Sequence, residues 1–135
     1  MKAHLAAIKA DLSAEAATFV GWADPLTPTP YFVISAPAHG RGEGSVRGDA
    51  PLAVDVRVKA VAGTTDGVLE LLALAKARRA SVNDGPVSLS VEGRYATTHF
   101  VRSEFVAPDQ SSTTTETNRH RVVGVDTYRL ISQPL

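Results

Sequence analysis

The stretch LAVDVRVKAVAGTTDGVLELLALAKARRA, residues 52–80, carries two hydrophobic periods in succession. Its first part alternates Leu52, Val54, Val56 and Val58 with Ala53, Asp55, Arg57 and Lys59. A period of two sends successive side chains to opposite faces of a β-strand, so this strand has one buried face and one wet face. Past Gly63 the pattern changes. Thr64 and Thr65 offer N-cap hydroxyls, Asp66 and Glu70 come early, Lys76, Arg78 and Arg79 come late, and Gly85 lies beyond the end. Charges in that order complement the helix dipole, and the spacing predicts a helix of about four turns. A one-sided strand leading into a helix sets up two layers, with the helix covering the sheet.

Upstream, Leu5, Ile8, Leu12, Ala16 and Phe19 fall at spacings of three and four, which predicts an amphipathic helix over residues 2–19 that ends before Gly21. WADPLTPTP follows with three prolines in six residues, an extended linker. YFVIS, from Tyr31, is a short apolar strand. Downstream, VSLSVEGRY alternates Val87, Leu89 and Val91, ATTHFVRSEFVA is rich in β-branched and aromatic residues, and RHRVVGVDTYRLIS is a last strand with Gly124 as a candidate bulge. Residues 38–50 and 108–118 are long polar loops. The predicted order is helix, strand, loop, strand, helix and three strands. The expected fold is therefore α+β over one domain, 1–135: a mainly antiparallel sheet with two helices packed on one face.

Composition bounds the chemistry. The 135 residues include 14 Lys and Arg against 14 Asp and Glu, so the chain lacks the basic excess from which most nucleic-acid binders draw affinity. Cysteine is absent, which removes disulfides, thiolate zinc ligands and thiol catalysis. The N-terminal apolar residues are interrupted by Lys9, Asp11 and Glu15, and no membrane-spanning run occurs elsewhere. The expectation is a soluble protein made and used inside a cell, with no membrane partner.

Each catalytic template fails in turn. The stretch AHGRGEGSVRGDAP, residues 38–51, sets Gly40, Gly42 and Gly44 beside Arg41, but these glycines open onto a strand, whereas a phosphate loop opens onto a helix N-terminus. His4, His39, His99 and His120 show no metal-ligand spacing. If the last two strands form a hairpin symmetric about the polar loop, His99 falls near Asp126 and Glu104 near Arg121. Surface pairing is the favoured meaning of that register, because no nucleophile motif accompanies it. The cations Lys76, Arg78 and Arg79 are read as dipole capping. Trp22 and Tyr31 are read as aromatics that hold the first helix on the sheet.

The remaining signal is the order of elements. YFVISAP at 31–37 leading into a loop, the strand-to-helix stretch at 52–80, VEGRY at 91–95 and VVGVDTYRLIS at 122–132 together resemble the tail-terminator (tail completion) proteins of long-tailed bacteriophages. The resemblance spans nearly the whole chain and rests on pattern and order. It implies a non-enzymatic virion protein without cofactor or metal, located in the tail and, during assembly, in the host cytoplasm. It also implies a homo-oligomeric ring, usually of six, that caps the tail tube, ends its growth and meets the head-tail connector, with DNA passing through without sequence-specific binding. On this reading Arg41, Glu43 and Arg47 contact a neighbour or the tube, while Asp55, Arg57 and Lys59 meet the adjacent subunit or line the channel. The alternatives are a small hydrolase using His99 and Asp126 with Arg102 as anion clamp, a ligand-binding α+β domain, a cellular adaptor, or another head-to-tail connector component.

Overall fold

A computed structural model describes residues 2–24, 27–36, 52–79, 87–91, 93–106 and 121–134. Two helices and six strands follow in the order α1 (Lys2–Leu12), β1 (Ala17–Val20), β2 (Tyr31–Ser35), β3 (Leu52–Ala62), α2 (Thr65–Arg79), β4 (Val87–Val91), β5 (Arg94–Val106) and β6 (Val122–Pro134). The strands form one sheet ordered β1-β2-β3-β6-β5-β4. Only β1 and β2 are parallel; every other neighbouring pair is antiparallel. Both helices pack on one face, so the fold is α+β as the two periods predict. Among the described residues, no helix is long and apolar enough to cross a membrane.

The strand-to-helix stretch folds as its pattern requires. Val54, Val56, Val58 and Ala60 are buried beneath the helices, and Thr64 caps α2 by accepting a hydrogen bond from the Gly67 N–H at 3.0 Å. Val68, Leu71, Leu72 and Ala75 then line the buried side of α2 at helical spacing. They meet Ile8 and Leu12 of α1 and Phe32, Ile34, Tyr128 and Leu130 of the sheet in one apolar core.

The N-terminal region departs from expectation. The helix stops at Leu12 rather than continuing to residue 19, and Ser13 closes its end by donating its hydroxyl to the Lys9 carbonyl at 2.6 Å. Residues 17–20 become β1 because β2 offers them a hydrogen-bonding edge, registering Ala17 with Tyr31 and Val20 with Ile34. Phe19, assigned by spacing to the helix stripe, packs instead edge-on against Tyr31 with ring centroids 5.9 Å apart. Tyr31 lies on the sheet face away from the helices and Trp22 is exposed, so neither aromatic holds α1. Phe32, the neighbour of Tyr31, supplies the core contact.

The C-terminal half also differs in register. β5 and β6 do pair antiparallel, but His99 stands opposite Arg129, Ser103 opposite Asp126 and Glu104 opposite Val125. The pairing is offset by three residues from the symmetric one at His99 and by four at Glu104, the added residue coming from a bulge in β5 between Phe100 and Arg102. The bulge is thus in β5, and Gly124 serves another purpose. It pairs with Ala60 directly beneath α2, and a Cβ at Gly124 would stand 2.7 Å from Val68 Cγ1. Two small residues side by side let the helix approach the sheet. The loops at 38–50 and 108–118 lie outside the described residues.

Candidate functional site

The sheet's outer face has two halves. In one, Tyr31, Val33, Val61, Val123 and Val125 form a second apolar cluster, with Phe19 and Ala23 packed against it. Arg121 fastens the β1–β2 connection there, donating from Nη1 to the Tyr31 hydroxyl at 2.9 Å and from Nη2 to the Thr27 carbonyl at 3.1 Å. Arg121 is therefore a clasp for this connection and not a partner of Glu104.

The other half is charged. Because Val54, Val56 and Val58 point into the core, Asp55, Arg57 and Lys59 necessarily point outward. Strand register places them in three rows across β3, β6 and β5: Asp55, Arg129 and His99; Arg57, Thr127 and Arg102; Lys59, Val125 and Glu104. Arg129 Nε donates to Asp55 at 3.0 Å and Arg102 Nε to Glu104 at 3.1 Å. Those two pairs consume both acids. Arg57 and Lys59 are left without an acidic partner among the described residues. Between Arg57 and Arg102, the buried Thr127 hydroxyl has no hydrogen-bond partner among the described residues. Of the residues singled out as an interface, Asp55, Arg57 and Lys59 thus share one face of one strand, whereas Arg41, Glu43 and Arg47 lie outside the described residues.

His99 and Arg102 are on the outer face, while Asp126 is on the helix side, opposite Val58. The hydrolase arrangement of His99, Asp126 and Arg102 is consequently not assembled. Asp126 instead accepts a hydrogen bond from the Ser103 hydroxyl. Burial raises its pKa above the ordinary 3.8, with Ser103 and Lys76 pulling the other way. Lys76 itself sits over the Phe100 ring, 4.1 Å from the centroid.

Two polar clusters escaped the sequence reading because their members are far apart in the chain. Asp11 of α1 meets Arg78 at 3.0 Å and Arg79 at 2.8 Å, and Glu15 accepts from Arg78 Nε at 2.7 Å. These arginines lock the two helices together, which dipole capping alone does not describe. At the other end of α1, His4 Nε2 and Ser132 Oγ are 2.8 Å apart, and Arg94 Nε donates to the same Oγ at 2.6 Å. This serine and histidine pair is not arranged for attack. Ser132 is fully buried, its oxygen already accepts from Arg94, and His4 Nδ1 has no hydrogen-bond partner among the described residues to orient it.

A cleft of about 390 Å³ opens beside the start of α2, floored by Ala62, Leu71 and Leu74 and edged by Glu15, Thr29 and Glu70. Among the described residues, no group of three or more His, Cys, Asp or Glu is placed to hold a metal ion. No protein-family model matches this chain, and no curated protein matches it significantly.

Proposed function

We propose that the protein is a structural component of a phage virion, a tail terminator that caps the tail tube, ends its elongation and forms part of the head-tail joining interface. The observation that carries this reading is the charged half of the sheet's outer face, where β3 presents Arg57 and Lys59 without acidic partners among the described residues. A protein that assembles by surface contact needs such a preformed face on a scaffold that does not rearrange. The six-stranded sheet backed by two helices supplies that scaffold, and the identity of the assembly comes from the resemblance in the sequence. In this reading the protein works as a ring, usually of six copies. Tail-tube protein lies on one side and connector protein on the other. Equal numbers of cations and anions suit a ring through which DNA slides without being held. Arg41, Glu43 and Arg47 add contacts to a neighbour or to the tube.

The test is to remove the gene from the phage that carries it and examine the particles by electron microscopy. Tails of uncontrolled length, unjoined to heads and restored by a supplied copy, are the expected outcome. Tails of normal length joined to heads would overturn the reading.

A further inference from the structure

The side of α2 turned away from the core carries Asp66, Leu69, Glu70, Ala73 and Ala77, all exposed. They recur at intervals of three and four, so they form one stripe. Leu69 is 52% exposed, one of few large apolar side chains in that condition among the described residues. Asp66 and Glu70 have no ion-pair partner among the described residues, as Arg57 and Lys59 have none on the opposite face of the molecule. The two sets also match in spacing. Residues two apart on a strand are about 6.8 Å apart along it, and residues four apart on a helix about 6 Å.

We infer that α2 of one copy seats on the outer sheet face of the next, Asp66 and Glu70 against Arg57 and Lys59. The small side chains of Ala73 and Ala77 let the helix lie close. Because helix layer and sheet face are opposite sides of one domain, each copy gives one surface and receives on the other. Such a heterologous contact builds a closed ring when its rotation closes and a filament otherwise. The inference rests on the ring reading above and names its subunit contact.

The experiment uses two charge reversals of the full chain, R57E/K59E and D66K/E70K, with size-exclusion chromatography and light scattering up to millimolar protein. Wild type self-associates, and each reversal weakens association by roughly tenfold or more. An equimolar mixture of the two variants associates again, because in alternation every helix meets a sheet of opposite charge. Since Asp66 supports the helix start, E70K alone is run beside the double variant, and circular dichroism checks that each is folded. Wild type monomeric at every concentration, oligomers indifferent to reversal, or a mixture that does not recover would each overturn the contact. The terminator reading is scored separately by tail length: R57E/K59E particles with normal tails would remove this contact and leave that reading standing.

Discussion

Gly124 faces α2 with no side chain, and a Cβ there would approach Val68 Cγ1 to 2.7 Å and Leu72 Cδ1 to 2.9 Å. The Val68 atom is one bond from its own Cβ and cannot swing aside, so Gly124→Ala forces the helix off the sheet. A loss of about 2 kcal/mol is expected from urea unfolding. The loss in Gly124→Ala/Val68→Ala should be smaller than the sum of the single losses, because the second change removes the clashing methyl. Two buried titratable residues pull stability in opposite directions with pH. Burial, helped by the charge of Arg94, lowers the His4 pKa below its ordinary 6.5. The unfolded chain therefore takes up a proton that the fold refuses, and stability present above pH 6.5 is lost as pH falls below it. His4→Gln should flatten the melting temperature between roughly pH 7 and 5. Asp126, raised by burial, behaves inversely: its contribution is greatest below 3.8 and declines as pH rises through the folded pKa. Asp126→Asn should melt higher than wild type near neutrality, with the difference closing toward pH 3.8.

At the scale of elements, α1 is held to α2 by one carboxylate serving two arginines. Arg79 is buried and Asp11 is its ion-pair partner, so Asp11→Ala strands a charge inside the protein. A loss of about 3 kcal/mol is expected, whereas Arg79→Met, which removes the charge together with its desolvation cost, should lose about 1 kcal/mol. Chemical denaturation of the two variants side by side checks the asymmetry. These contacts also mark where sequence legibility ends. Strand β3 and helix α2 were readable because their periods are local and long, and Thr64 was readable as a cap because its partner is three residues away. β1 was not, since four residues at helical spacing from Leu12 carry no signal of the β2 edge that captures them. Asp11 and Arg79 meet only in three dimensions, as do His4 and Ser132. Of the candidate interface, Asp55, Arg57 and Lys59 were legible as the wet side of a strand; that the acids on α2 match them in spacing emerges only from the fold, which sets the two groups on opposite faces of the sheet.

For the whole molecule, a formal net charge of zero conceals a sorted distribution: among the described residues, Arg57 and Lys59 on the sheet face lack acidic partners and Asp66 and Glu70 at the start of α2 lack basic ones. Association through such surfaces is screened by salt over about 10 Å at 0.1 M. Light scattering should therefore show self-association weakening several-fold between roughly 0.05 and 0.5 M sodium chloride, whereas an apolar contact would hold or strengthen. The sheet order adds a constraint on timing. Among the described strands β6 comes after the other five in sequence yet sits in the middle of the sheet, between β3 and β5. Until β6 is in place, β1 to β3 and β4 to β5 have no strand pairing between them, and each piece keeps an open edge. Closing the sheet then waits for the residues of β6, and a chain broken off before Val122 lacks the strand that joins its two halves.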